Sequence, residues 1–355
     1  MPSMIVASSM VLIVTSASLS QDVLGEIAST LDGKGTFELR AIDQAHLYFV
    51  GTERDSGREA VRAVDFPVGD WVNVQLTLTL DSRATPGICS YPNPTGDIFD
   101  RSASVFLILD ESCLDTPSCI GTSGQIELLK AVTPFGTDTR TGPRIYTFDI
   151  TPLAPLLVGR KNVAAWIDTY DAHGWYVDLD FTFISDPLQA SPKPPAVGIL
   201  PVFFKRNVTA DDQPIIEPVS VTIPVEASQV FVRLFTTGHG ASPPSNCDEF
   251  CRKNNRILVD GAPAWEQVPW QHCNLVPDRC REWNACGATS CRFDRSGWCP
   301  GLTACHDDEP CDQDIEVTGA LPPGETRDVL YEIQNIAVGG SIPAYWNYSL
   351  VVYWY

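Results

Sequence analysis

The sequence predicts an all-β protein of antiparallel strands, and three observations predict it. Apolar and polar residues alternate with a period of two along most of the apolar stretches. The stretches are short and are separated by turns rich in Pro, Gly and Asp. Helical periodicity is weak everywhere. Many short strands of this kind build a sandwich, a barrel or a jelly roll.

Taken in order, the chain opens on an apolar stretch, "MIVASSMVLIVTSAS", followed by small residues. This pattern fits a signal peptide over residues 1–20, with cleavage near Ala17 or Ser20, although no Lys or Arg precedes the apolar run. "LGEIASTL" has room for a short helical turn. In "WVNVQLTLTL", Val72, Val74, Leu76, Leu78 and Leu80 fall on one face of a strand. The loop "CSYPNPTGDIFDR" follows, then the apolar run "SASVFLIL". "ITPLAPLLVG" has room for a second helical turn. In "YVDLDFTF", Val177, Leu179, Phe181 and Phe183 share one face, opposite Asp178 and Asp180.

The stretch "SDPLQASPKPPAVG" has four prolines and no periodicity, so an extended, stiff linker is expected at 187–197. It divides the chain into an N-terminal unit, 21–186, and a C-terminal unit, 198–355. Each is long enough for an eight-stranded sandwich. "QVFVRLF" and "YWNYSLVVYWY" supply alternating strands in the second unit. Residues 245–315 form a cysteine-rich insertion, expected to be held by disulfides more than by an apolar core. No strong internal repeat is visible.

Composition excludes several classes. Acids outnumber bases 44 to 24 and the net charge is −20, which opposes binding to nucleic acid or to an anionic membrane surface. No later stretch is apolar over about 20 residues, so no membrane span is expected. Twelve cysteines, nine of them between Cys247 and Cys311, point to disulfides in an oxidising compartment. A zinc site is disfavoured, because Cys247 and Cys251 form CxxxC and no CxxC occurs. Asn207 and Asn347 stand in glycosylation sequons.

Four stretches carry candidate chemistry. They are the loop with Asp97, Asp100 and Arg101; "AWIDTYDAHGWY" with Asp168; "TTGHGASPPSNCDEFC" with His239 and Glu249; and "DRSGWCPG" with Arg295 and Trp298. Each has a bland counterpart. Asp100 alone is a turn cap, Asp168 a solvated strand end, Glu249 a surface acid, His239 a bonded loop histidine and Trp298 core.

Together the stretches resemble the peptide-N-glycosidase F family of amidases. The resemblance rests most specifically on "NCDEFC" ahead of the strand "RILVDG" and on "DRSGWCPG". It extends to "DIFDRSASVFL" and "AAWIDTYDAHGWYVDLDF", so motifs run from residue 89 to 301 in the family's order. It implies two antiparallel eight-stranded jelly-roll (β-sandwich) domains packed side by side. It also implies hydrolysis of the amide joining Asn to N-acetylglucosamine in N-linked glycoproteins or glycopeptides, giving Asp and a glycosylamine.

Residue by residue, the resemblance makes Asp100 the principal catalytic aspartate and Glu249 the second acid, acting through a bridging water. It puts Asp168 where the family has a substrate-holding glutamate, one methylene longer. Arg101, Arg295, Trp298 and His239 match residues of the cleft. Phe99 and Tyr170 stand where the family has tryptophans. With Trp175 and Trp298 they lie near the acids in sequence as candidates to face the sugar, Trp298 foremost among them, against a bland reading as core. Thr236 and Thr237 replace a usual Gly-Trp pair. No second cysteine follows Cys89 before Asp100.

The resemblance pairs Cys247 with Cys251 and Cys273 with Cys299. Proximity suggests Cys113 with Cys119 and Cys305 with Cys311. Cys89, Cys280, Cys286 and Cys291 stay open, and a Cys89 bridge across the two units is one option. No cofactor or metal is expected. The expected setting is a secreted monomer, extracellular or periplasmic, acting on N-glycosylated proteins or peptides.

Three rivals were weighed. A non-catalytic secreted glycan-binding jelly roll uses the aromatics but leaves the ordered motifs unexplained. A glycosidase uses two carboxylates and leaves Asn unconverted. A copper monooxygenase needs clustered histidines, and the five here are scattered.

Overall fold

The computed structural model describes residues 35–49, 57–85, 87–88, 90, 92–110, 124–136, 143–240, 247–275, 280, 290–305, 313–338 and 344–355. The leader, "LGEIASTL", Cys89, Cys113, Cys119, Cys286 and Cys311 lie outside these residues.

Among the described residues, sixteen strands run in chain order. The first eight are β1 Thr36–Leu47, β2 Glu59–Phe66, β3 Asn73–Asp81, β4 Ser102–Ile108, β5 Gln125–Val132, β6 Arg144–Asp149, β7 Gly159–Ile167 and β8 Trp175–Ile184. The second eight are β9 Gly198–Val208, β10 Val219–Thr222, β11 Val230–His239, β12 Asn255–Val259, β13 Ala262–Gln267, β14 Asp314–Glu316, β15 Thr326–Ile333 and β16 Tyr345–Trp354. Short 3-10 turns also occur among the described residues, one of them Thr151–Leu156 within the "ITPLAPLLVG" stretch.

The strands form four antiparallel sheets, β1-β8-β3-β6, β2-β7-β4-β5, β9-β16-β11-β14 and β10-β15-β12-β13. Adding eight to each number of the first pair gives the second pair. Both halves are therefore the same jelly roll, although no sequence repeat announces it. The alternation explains the local structure. β3 buries every second residue, and Val74, Leu76, Leu78 and Leu80 enter the first core beside Val177, Leu179, Phe181 and Phe183 of β8. Val230, Val232 and Leu234 of β11 enter the second core with Val329, Tyr331 and Ile333 of β15.

Two strands depart from the half-buried pattern. β5 is buried along its whole length, and β16 is buried at every position except its ends. "YWNYSLVVYWY" reads as a half-buried strand, but its second face meets the other half. Trp346, Tyr348, Leu350 and Val352 enter the second core, while Asn347 and Ser349 face β5. There Lys130 donates to Asn347, Ser349 donates to Glu127, and Lys130 lies 3.2 Å from Glu127. Burial lowers the Lys130 pKa, against the pull of Glu127. An apolar patch of Phe106, Ile108, Ala164, Trp166 and Phe204 seals the rest of the junction. The second half thus lays its β9-β16-β11-β14 sheet on the β2-β7-β4-β5 sheet of the first.

Because the paired strands are antiparallel, the connections leading from an odd strand to the next even strand gather at one end of each sandwich. That end carries the site.

Candidate active site

Every sequence-predicted site residue lies in or beside an odd-to-even connection. Asp100 and Arg101 precede β4, Asp168 and Tyr170 precede β8, His239 closes β11, Glu249 precedes β12, and Arg295 and Trp298 lie between β13 and β14.

The Asp97–Arg101 loop divides its carboxylates between two tasks. Asp97 is fully buried and accepts hydrogen bonds from the Phe99 amide at 3.0 Å, Arg101 Nε at 2.7 Å and Thr169 Oγ1 at 2.7 Å. A buried charge of this kind is tolerated because it is paired and bonded. Gly96 allows the loop to close. A Cβ there would sit 2.0 Å from the Ser82 carbonyl oxygen. Thr133 brackets Asp100, its hydroxyl accepting from the Arg101 amide at 2.7 Å and donating to the Phe99 carbonyl at 3.1 Å. Asp100 is held between fixed neighbours with its own side chain partly exposed.

Glu249 sits on a five-residue loop closed by the Cys247–Cys251 disulfide. Asp248 turns inward and accepts from Trp346 Nε1 at 2.7 Å and the Ala337 amide at 2.9 Å. The Glu249 amide donates to the Gly240 carbonyl at 3.1 Å, and its carbonyl accepts from the Ser296 amide at 3.0 Å. Both main-chain groups of the residue are therefore fixed. Gly238 is required beneath, since a Cβ there would meet the Asp248 carbonyl oxygen at 2.6 Å.

Arg295 joins the two acids. Its main chain pairs with Gln271 at 2.8 and 3.0 Å. Its guanidinium lies over the Trp298 ring at 4.5 Å and the Phe250 ring at 4.8 Å. It donates to Glu249 and, through Nη2, to both oxygens of Ser290 at 3.1 Å, and it stands 3.5 Å from Asp100 Oδ2. Ser290 Oγ also donates to Asp100 at 3.4 Å. The disulfides Cys273–Cys299 and Cys280–Cys291 hold this segment. Cys305 is disulfide-bonded as well.

Burial pushes the Glu249 carboxyl up to about 7, with Asp100 adding repulsion, while Arg295 and a Gly240 hydrogen bond pull it down. The site therefore holds a carboxyl poised between its two forms at neutral pH.

Asp168 lies 3.3 Å from Arg58, a partner that sequence reasoning missed. Arg58 is buried, donates to the Thr169 carbonyl at 2.6 Å, and is sandwiched between the Phe49 ring at 4.4 Å and the Tyr170 ring at 4.1 Å. Tyr170 stays 53% exposed. Arg101 lies 4.9 Å from the Phe99 ring and 5.2 Å from the Tyr170 ring.

Trp298, one of the aromatics that could face a sugar, is packed within the protein. It is 3% exposed, stacks on His239, carries Arg295 and donates from Nε1 to the Gly238 carbonyl at 2.9 Å. Its faces are used up by protein, so it supports the cation. His239 stacks between Trp298 and Tyr345, and its Nε2 is 2.9 Å from the Thr237 hydroxyl. Burial, then Lys130 and Arg295, push its imidazole down to about 3. It is neutral at physiological pH.

Tyr345 was also missed. Burial raises its phenol pKa, as do Asp168, Tyr170 and Glu249, while Arg101 lowers it. The residue therefore joins the Asp168 side of the cleft to the Glu249 side. The aromatic run "AYWNYSLVVYWY" reads as core, and nothing in it marks Tyr345 apart from the other rings. Among the described residues, no group of three or more His, Cys, Asp or Glu is arranged to hold a metal ion.

The chain can now be set beside known proteins. A family model described as peptide-N-glycosidase F, N terminal, matches residues 49–183, and its C-terminal counterpart matches residues 207–313. The peptide-N(4)-(N-acetyl-beta-D-glucosaminyl)asparagine amidase F of Elizabethkingia miricola is 24% identical over 224 residues, 59% of this chain and 58% of that protein. The chain thus spans less than two thirds of the length of this relative. Among solved structures, PNGF-II superposes with a TM-score of 0.70 at 20% identity, covering 90% of this chain and 65% of the other. PNGase F, a glycosylasparaginase from Flavobacterium meningosepticum, superposes with a TM-score of 0.64 at 18% identity, covering 90% and 96%. These likenesses carry the fold.

Proposed function

The chain belongs to the peptide-N-glycosidase F family, and on that premise we propose that it hydrolyses the amide bond between Asn and N-acetylglucosamine in N-linked glycoproteins or glycopeptides. The observation that carries this reading is Arg295, which joins Glu249 of one loop to Asp100 of the other half at the mouth of the junction.

Water adds across the C–N bond. The carbonyl carbon gains hydroxyl and becomes the Asp carboxyl, and the nitrogen gains a proton and leaves as a glycosylamine, which breaks down to the free sugar. Asp100 acts as base or nucleophile at the carbonyl. Glu249, with its raised affinity for a proton, acts as the water-linked partner and returns a proton to the departing nitrogen. Arg295 is the cation nearest both acids and stabilises negative charge developing on the carbonyl oxygen. Asp168, held by Arg58, orients the substrate. Tyr170 offers the open ring for a sugar face, and Phe99 and Arg101 support it.

We further read two domains, 21–186 and 198–355, joined by 187–197. Each four-stranded sheet draws on only one side of that stretch, which supports the division. The disulfides Cys247–Cys251, Cys273–Cys299 and Cys280–Cys291 support an extracellular or periplasmic setting, reached through a signal peptide. The protein is read as a monomer acting on glycosylated proteins or peptides.

Mass spectrometry of a glycopeptide incubated with the purified protein tests the activity. Conversion of Asn to Asp, a gain of about one dalton over the unglycosylated Asn peptide, together with glycan release, is the expected result. Release that leaves N-acetylglucosamine on Asn would replace the amidase with a glycosidase. Retention on a glycan column without release would replace it with a binding module.

A further inference from the structure

We propose that Tyr345 is a substrate-contacting residue whose phenol hydroxyl donates a hydrogen bond to an amide carbonyl oxygen of the glycosylated asparagine. This rests on the amidase reading above. Two carbonyls of that kind lie near the bond to be broken, the Asn side-chain carbonyl and the 2-acetamido carbonyl of the attached sugar.

Tyr345 is the first residue of β16 and pairs with His239, the last residue of β11. Gly240, the next residue on, receives the Glu249 amide. Tyr345 therefore stands at the point where two strands open into the loop that carries the second acid. Along β16 the same side of the strand bears Asn347 and Ser349, both committed to β5 of the first half. Tyr345 is the next position on that side, at the start of the strand.

Its ring is fixed. It stacks on His239 at 4.9 Å with 21° between planes, His239 stacks on Trp298 at 5.7 Å, and Trp298 carries Arg295 at 4.5 Å. One continuous stack thus runs from Tyr345 to the cation that joins Asp100 and Glu249. A ring held this way aims its hydroxyl with little rotational freedom to lose on binding.

The hydroxyl itself is uncommitted. Among the described residues it makes no hydrogen bond, and it is not among the fully buried atoms left unpaired. Every other tyrosine buried at the second core or the junction sits deeper. Tyr331 donates to Asn255 at 2.6 Å, and the Tyr348 and Tyr353 hydroxyls are enclosed. The surroundings of Tyr345 keep its proton in place, since burial, the carboxylates of Asp168 and Glu249 and the Tyr170 phenol raise its pKa. A neutral donor among carboxylates is suited to an acceptor oxygen. The carboxylates by themselves repel one.

The test is Tyr345→Phe, which keeps the ring and its stack and removes only the hydroxyl. A drop in kcat/KM of about tenfold is expected, the loss of one well-placed hydrogen bond. A fall in kcat at constant KM assigns the bond to the scissile carbonyl, where charge develops. A rise in KM, absent with a glucosyl-asparagine peptide that lacks the acetamido group, assigns it to the sugar. Unchanged kcat and KM would overturn the proposal. Tyr345→Ala, which also breaks the stack, separates ring from hydroxyl, and thermal melting of both variants reports folding. If the wild-type protein binds a glycopeptide without hydrolysing it, the amidase reading fails alone. Tyr345 is then decided by Kd, where equal affinity of wild type and Tyr345→Phe overturns it. Absence of glycopeptide binding by the wild type overturns both.

Discussion

Arg295, from the second half of the chain, stands 3.5 Å from Asp100, from the first. The proposed site therefore draws on both sandwiches, and the contribution of each residue can be probed separately by mutation.

Asp100→Asn is expected to abolish glycopeptide hydrolysis while leaving the melting temperature close to wild type. The isosteric amide keeps the loop, whose anchor is Asp97. Retained turnover in a mass-spectrometric assay would falsify the assignment.

Glu249 links stability to pH. Its pKa is about 7 in the folded protein against an ordinary value of 4.5, so the native state holds this proton more tightly than the unfolded chain. The stabilising contribution is fully present below pH 4.5 and is lost as pH rises through about 7. The size is ~3 kcal/mol at most. Denaturation by urea across that window should show wild type losing stability relative to Glu249→Gln as pH rises. Parallel curves for the two proteins would remove the basis for a raised carboxyl. In the same range, kcat/KM should decline as Glu249 loses the proton it returns to the leaving nitrogen, and Glu249→Gln should lose that titration.

Arg295→Gln removes the cation that opposes the raised Glu249 pKa and the polarising charge at the carbonyl. A fall in kcat of about a hundredfold or more is expected. Arg295→Lys should recover little of it, because one ammonium does not reproduce a planar fork shared between Glu249, Ser290 and Asp100. Full rescue by Lys, measured by steady-state kinetics, would mean that only a positive charge is needed.

Arg58→Gln leaves the first sandwich assembled and takes the partner from Asp168 and the backing from Tyr170. KM should rise severalfold with kcat changed little, because the affected groups hold substrate. An unchanged KM would separate Asp168 from substrate binding.

Asp248→Ala strands Trp346 Nε1 and the Ala337 amide without an acceptor. A loss of about 2 kcal/mol or more is expected from leaving buried donors unpaired. Denaturant unfolding measures it. Activity per folded molecule should fall as well, because Asp248 anchors the loop that presents Glu249.

Much of this was legible in the sequence. The period of two placed the inner faces of β3 and β8 residue by residue, because a one-sided strand writes its burial into its alternation. Asp100, Glu249 and Arg295, which the structure brings together, could be singled out in sequence because each sits in a short, distinctive motif. What stayed hidden depends on surfaces meeting across long separations. Lys130 and Glu127 read as ordinary polar residues of a strand, and their burial follows only from β16 lying over β5. Arg58 precedes β2, far from Asp168 in sequence, and nothing local to either marks the pair. Tyr345 was hidden by its neighbours, since a strand crowded with core rings disguises the one at its open end. Trp298 stands out by motif, but which face of an indole is free is decided by packing, which the sequence does not show.

The manner in which the sandwiches stack bears on what their outer faces can accept. Unlike faces meet, the β9-β16-β11-β14 sheet of one unit lying on the β2-β7-β4-β5 sheet of the other. A head-to-tail contact of that sort does not close on itself and in principle accepts a third unit, then a fourth. The outward sheet of the second sandwich, β10-β15-β12-β13, corresponds to the sheet that is covered in the first. On β4 and β7 the covered face presents Phe106, Ile108, Ala164 and Trp166. On the corresponding strands β12 and β15, Arg256 is paired with Glu332, and Asp328 accepts from Ser220. At the other extremity, the outward face of β1 and β8 carries Arg40 bound to Asp180, beside Asp178. Charge on both outer faces means that covering either of them with a further layer would cost desolvation of these ion pairs, which the apolar covered face between the two sandwiches avoids.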